Sequence, residues 1–176
     1  GTETLMVDVL RNANTYGLNA SCFYRKGGAC ENDLKKSQAK VIQIKPGKNV
    51  LSYLFRLRKA LKDEKADVVH AMQGIDTIYG WIASFNTGIK VVQTLHGFDF
   101  EAGFLDSLIL RLSLWLSNKN FYVSQFQKDY YINKYILNRN KQDVVYNGVS
   151  FDKIDQAVIS SPGLRGEFNI PEGVML

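Results

Sequence analysis

Apolar positions along this chain alternate between two periods. Leu5, Met6, Val9, Leu10, Ala13 and Tyr16 share one helical face and Gly17 follows as a stop, so the spacing predicts an opening helix. Strand-like runs come next at residues 20–24 and 41–44, separated by a long polar loop containing Gly27 and Gly28. Val50, Leu54, Leu57 and Leu61 then mark an amphipathic helix whose other faces carry Arg56, Arg58, Lys59 and Lys62, and a strand follows at 67–72. The unit repeats: a stripe of Ile75, Ile78, Tyr79, Ile82 and Phe85, then a strand at 90–95. A helix over 104–116, a strand at 121–123, a helix over 125–137 and a strand at 144–146 complete the series.

Strands interleaved with helices predict a parallel sheet covered on both faces, because parallel neighbours need crossover connections and helices supply them. The class is α/β, a Rossmann-like, doubly wound and mainly parallel sheet. Such a sheet normally opens with a strand, whereas here a helix starts within a few residues of Gly1, so the first strand is expected to be lacking. If that strand is the central one, those at 20–24 and 67–72 each carry an unpaired edge, which invites dimerisation. After Phe151 the pattern breaks at Ser160-Ser161-Pro162-Gly163, and Pro171 to Leu176 reads as the start of a new strand. Residues 1–158 are therefore expected to form one domain and 159–176 a linker into a second, absent one.

Composition narrows the partners. With 45% apolar residues the chain can build a core, and no apolar run approaches the roughly 20 residues that cross a bilayer. The start lacks the basic and apolar regions of a secretion signal, so a cytoplasmic protein is expected. Cys22 and Cys30 are expected to be free thiols, with no metal site. The formal charge of +5 is compatible with an anionic partner, and the segment Arg56 to Lys62 has the composition of a helix that could rest on an anionic membrane face, although a solvated outer face is the preferred account. No basic motif interleaved with aromatics points to nucleic acid. G-x-G-x-x-G, P-loop, H-E-x-x-H and G-x-S-x-G motifs are all missing, which removes support for dehydrogenase, NTPase, metalloprotease and α/β-hydrolase chemistry.

In open α/β sheets ligands gather beyond the carboxyl ends of the strands. The residues there are Arg25 to Gly28, Gln73-Gly74-Ile75-Asp76, His96-Gly97-Phe98-Asp99, Ser124-Gln125 and Asn147-Gly148. His96 stands out, because it ends an apolar strand, precedes Gly97 and lies near Asp99 and Glu101; imidazole donates or accepts protons near neutral pH. A satisfied, partly buried histidine is the competing account. His70 lies inside a strand run, so a structural role is preferred for it, and Gly27-Gly28 reads as a flexible turn more readily than as a phosphate cradle.

The ordered set of loops resembles the amino-terminal domain of family 4 glycosyltransferases, which have the two-domain GT-B fold. Gly1-Thr2-Glu3-Thr4-Leu5 is similar to the close of that family's glycine-rich first loop, and Asp67-Val68-Val69-His70-Ala71 to its fourth-strand motif. Thr94-Leu95-His96-Gly97 resembles its Thr-x-His-Gly loop, Val123-Ser124 its Val-Ser, and Tyr146-Asn147-Gly148-Val149 its Pro-Asn-Gly-Val-Asp. The resemblance implies a retaining transfer of sugar from a nucleotide-sugar donor to a sugar or lipid-linked acceptor in polysaccharide biosynthesis, with this half holding the acceptor and no cofactor. It implies a catalytic role for His96 and substrate-binding roles for Gly1, Gly74, Gly97, Asp99, Ser124, Asn147 and Gly148. The family's donor-binding Arg, Lys and E-x7-E belong to the second domain, so the isolated chain is expected to be inactive. Three departures blur the substrate: Met72 stands where a second histidine is frequent, Ser150 where Asp is usual, and one glycine of the first loop precedes the chain. A GT-B sugar-nucleotide epimerase half and a non-catalytic flavodoxin-like domain are the alternative readings.

Overall fold

A computed structural model describes residues 2–28, 30–37, 39–47, 49–98 and 103–148. Helix α1 (Thr2–Asn12) buries Val7 and Leu10, continues into a 3-10 turn over Ala13–Tyr16, and stops at Gly17, whose φ of 70° is the left-handed conformation glycine adopts without strain. Strands β1 (Ser21–Tyr24) and β2 (Lys40–Gln43) flank a short helix, α2 (Glu31–Lys35), in what the sequence presents as a loop. Five residues with one buried side chain, Leu34, carry too little periodicity to announce a helix. Helix α3 (Val50–Asp63) is capped by Asn49, whose side chain accepts from the Ser52 amide at 2.9 Å, and it buries Leu54, Leu57 and Leu61.

Strand β3 (Val68–Ala71), helix α4 (Gly74–Ala83), strand β4 (Lys90–Leu95), helix α5 (Phe104–Leu116), strand β5 (Lys119–Tyr122), helix α6 (Gln125–Tyr135) and strand β6 (Gln142–Val144) follow. β5 and β6 begin two residues before the apolar runs that announce them. Their buried positions include Asn120 and Gln142, polar residues that an apolar pattern passes over.

Every strand pairing described is parallel, as the βαβ rhythm predicts. The strands nevertheless form two sheets, β1-β2 and β3-β4-β5-β6, and among the described residues β1 and β3 each keep an unpaired edge. These are the two edges expected to open if a central strand is lacking. The halves share one apolar cluster, in which Ile44, Leu57, Leu61 and Ala83 pack with Phe23, Ile42 and Val69. A second cluster, Val7, Leu10, Cys22 and Leu34, fills the other face of β1-β2 beneath α1 and α2.

In the larger sheet the alternation of side chains separates two faces. Val91, Gln93, Leu95, Asn120, Tyr122 and Gln142 are buried toward α4, α5 and α6. On the opposite face Val68 and His70 are exposed and Val92, Thr94 and Phe121 half-buried, so the described helices cover that sheet on one side and not on both. The chain divides into compact units at Gly1–Tyr146 and Asn147–Leu176. The expected domain boundary at 158, the linker after it, and the site residues Gly1 and Asp99 lie outside the described residues.

Candidate functional site

Parallel strands put all their carboxyl ends on one rim. His96 follows β4 directly, Ser124 follows β5, and Gly74 opens α4 just beyond β3. Arg25, at the carboxyl end of β1, lies 2.8 Å from Asp76 in the first turn of α4, so the ends of both sheets face the same side. The Arg25 guanidinium also lies 5.9 Å from the Tyr79 ring centroid. Burial raises the Asp76 carboxyl above its ordinary pKa, and Arg25 works against that shift.

His96 is partly buried, and its Nε2 is enclosed without a hydrogen-bond partner among the described residues. An enclosed imidazole nitrogen without a partner costs free energy, so it asks for a ligand or for a role that repays it. Burial lowers the pKa of this ring, which keeps it neutral at physiological pH. Although His70 is exposed as a residue, its ring sits against Thr94 and Phe121, and the water this contact strips from it, followed by repulsion from His96, lowers its pKa. Its Nε2 meets Thr94 Oγ1 at 2.7 Å, and its ring lies edge-on to Phe121 at 6.4 Å, on the uncovered sheet face.

The loop residues differ in what holds them. Gly97 is exposed, and a Cβ added there would meet nothing within 4 Å, so open space lies over the peptide that follows His96. Gly74 differs: a Cβ would come within 3.2 Å of Ser113 Oγ and 3.6 Å of Leu110 Cα, so close approach of α4 to α5 accounts for this glycine without a ligand. Ser124 caps α6, its Oγ accepting from the Gln127 amide at 3.1 Å. Asn147 and Gly148 are exposed and belong to the second compact unit.

Reading by motif passes over Gln127. This fully buried side chain accepts from the Val123 amide at 3.0 Å and donates to the Gly97 carbonyl at 2.7 Å, and the Tyr131 hydroxyl donates to the same carbonyl at 3.2 Å. The ring of Phe98 stacks on Tyr131 with centroids 6.1 Å apart and meets Tyr130 edge-on at 5.5 Å. Gln127, Tyr131 and Tyr135 recur every four residues on the buried face of α6, a stripe too polar for an apolar pattern to reveal.

Fold and rim together define a Rossmann-like half of a GT-B architecture. The sequence profile of Glycosyltransferase Family 4 matches residues 1–153, and the chain belongs to that family. Among curated proteins nothing matches it. Among solved structures it is similar to a glycosyltransferase from Rickettsia africae ESF-5, at 20% identity and a TM-score of 0.74, over 99% of this chain and 47% of the other. Anabaena HepE, crystallised with UDP and glucose, aligns at 19% identity and a TM-score of 0.70 over 90% and 46%. The lipopolysaccharide outer core galactosyltransferase WaaB aligns at 18% and 0.67 over 85% and 43%. The chain thus spans under half the length of these structures.

Proposed function

We propose that this chain is the acceptor-side half of a retaining glycosyltransferase, working with a donor-binding domain to move a sugar from a nucleotide-sugar to a glycan or lipid-linked saccharide. The observation that carries this reading is an enclosed, unpartnered imidazole nitrogen at the carboxyl rim of a parallel sheet, in a chain of this family. A neutral His96 suits a rim where a hydroxyl arrives: its Nε2 accepts from, or donates to, the acceptor or the sugar, which settles the open hydrogen bond. Open space over Gly97 leaves room for a sugar ring beside it. UDP-glucose and UDP bind Anabaena HepE, which supports a nucleotide-sugar as donor. Charge that develops on the departing diphosphate needs preorganised cations, which this reading assigns to the second domain.

Turnover of nucleotide-sugars by the two-domain protein tests the reading. His96→Ala is expected to lower kcat by roughly a hundredfold, the 176-residue chain alone to give negligible product, and the product to keep the donor's anomeric configuration by NMR. Unchanged kcat in the variant removes His96 from the chemistry, and an inverted product removes retention.

Two partner readings rest on other surfaces. Helix α3 exposes Val50, Leu51 and Phe55 beside Arg56, Lys59 and Lys62, which supports contact with an anionic membrane. Arg58 is not part of that patch, since its Nη1 donates to the carbonyls of Ala83 and Phe85 at 2.8 and 2.7 Å. No described helix is long and apolar enough to cross a membrane. The unpaired edges of β1 and β3 support pairing with a second copy, which a monomeric elution by sizing with light scattering would remove.

A further inference from the structure

We infer that Gln127 is a positioning residue for the His96 loop, acting as a two-sided clamp between the ends of β4 and β5; this rests on the glycosyltransferase reading of that rim. A primary amide carries one good acceptor and two donors, and both kinds are used here. Oε1 holds the Val123 N–H at the end of β5, while Nε2 holds the Gly97 carbonyl just past β4. With the Tyr131 hydroxyl on the same oxygen, two donors fix the plane of the peptide that follows Gly97. The Phe98 ring, set against Phe126, Tyr130 and Tyr131, anchors the far side of that peptide.

Gln127 and Tyr131 are nearly inaccessible, at 0% and 1% exposure, so water cannot replace either bond. His96 lacks such an anchor of its own at Nε2. Its direction depends on the backbone, and α6 sets that backbone through Gly97. The requirement is chemical and not merely one of volume: Met or Leu fills the space but supplies neither bond, and a carboxylate supplies only the acceptor. A protonated carboxyl supplies both, its O–H donating to Gly97 and its carbonyl oxygen accepting from Val123.

That difference gives a pH signature that packing alone does not produce. NMR of this chain would compare Gln127→Glu with Gln127→Met, well below and well above the raised pKa of a buried carboxyl. In Gln127→Glu the Val123 amide is expected to exchange within about twofold of wild type at either pH, because an acceptor is always present. The Phe98 amide resonance, which follows the hydrogen bonds on the preceding carbonyl, moves away at high pH and returns to the wild-type position at low pH. In Gln127→Met it is displaced throughout and Val123 exchanges roughly ten- to a hundredfold faster. Tyr131→Phe, milder should the Met variant fail to fold, shifts Phe98 less than Gln127→Glu does at high pH. In the two-domain protein, kcat of Gln127→Glu, relative to wild type at the same pH, falls roughly tenfold above the titration and recovers below it, with KM for the nucleotide-sugar unchanged. Identical, pH-independent spectra for the Glu and Met variants would overturn the clamp. A displaced loop with undiminished kcat would overturn the positioning role. Wild-type protein without sugar transfer would overturn the parent reading and that role together, while the spectra still decide whether the clamp exists.

Discussion

The four-stranded and two-stranded halves meet the same packing problem with different means. Beneath α4 and α5, strands β4 and β5 bury a polar ladder: Thr77 Oγ1 donates to Gln93 Oε1 at 2.8 Å, and Gln93 Nε2 donates to Asn120 Oδ1 at 2.6 Å. Ser117 Oγ donates to the same Asn120 oxygen at 2.6 Å, and Asn120 Nδ2 donates to the Leu114 carbonyl at 3.0 Å. Each polar atom in the ladder has a directional partner, so register and helix placement are specified together. β1 and β2 have no such ladder among the described residues; two apolar clusters hold them, one on each face. Apolar contact is less directional, and the rim it supports carries Arg25 on an ion pair where the larger sheet carries His96 on a clamped loop.

Breaking the ladder is expected to have the largest effect. Asn120→Ala leaves the buried Gln93 Nε2 without its acceptor and removes the bonds that Asn120 makes with Ser117 Oγ and the Leu114 carbonyl, and should cost about 3 kcal/mol or more, read as a lower urea midpoint at constant slope. Leu61→Ala, in the cluster shared by both halves, should cost about 3 kcal/mol. Amide exchange should then rise in β1 and β2 before β3 to β6; a uniform rise would show that the halves unfold as one.

Acidification acts on the two histidines, one at the rim and one on the open sheet face. Loss of hydration lowers the pKa of both His70 and His96 in the folded chain, so between the folded and unfolded values the unfolded state binds more protons. Stability should therefore fall as pH drops from the ordinary histidine value toward the folded ones and level off below them, as far as these two groups are concerned. His70→Gln should shrink that slope in urea titrations run across the window.

Two smaller effects complete the series. Ile136 ends α6 at φ 52°, a left-handed conformation costly for a β-branched residue, and it is largely exposed. Ile136→Asn should stabilise by about 1 kcal/mol by thermal melting. Arg25→Gln removes a pair whose two side chains are each about one-third exposed, and should cost about 0.5 kcal/mol; a much larger loss would show that this contact, more than the apolar cluster, joins the halves.

Periodicity made the parallel architecture legible, because helices such as α3 carry a clean apolar stripe and short β-rich runs such as β4 recur between them. The unpaired edges of β1 and β3 were legible from strand order, but α2 was not, and neither was the one-sided cover of the larger sheet. The starts of β5 and β6 were hidden by Asn120 and Gln142, which are buried through hydrogen bonds and not through apolarity. At the site, His96 stood out by position at the end of a strand. Gln127 did not, since its meaning lies in two backbone groups, Val123 N–H and Gly97 C=O, that no side-chain pattern records. Gly74 shows the converse: at a helix start on the carboxyl rim, the packing of α5 gives this glycine a structural reason beside any ligand role.

Amide hydrogen exchange on the two-domain protein, with and without nucleotide-sugar and acceptor, tests the central claim most directly. Protection is expected at residues 96–98 and 123–125 and around Gly74, all at the carboxyl rim, with none at the amino-terminal ends of the same strands around Lys90, Asn118 and Gln142. Protection confined to those amino-terminal ends, or to the open face around His70 and Phe121, would contradict it.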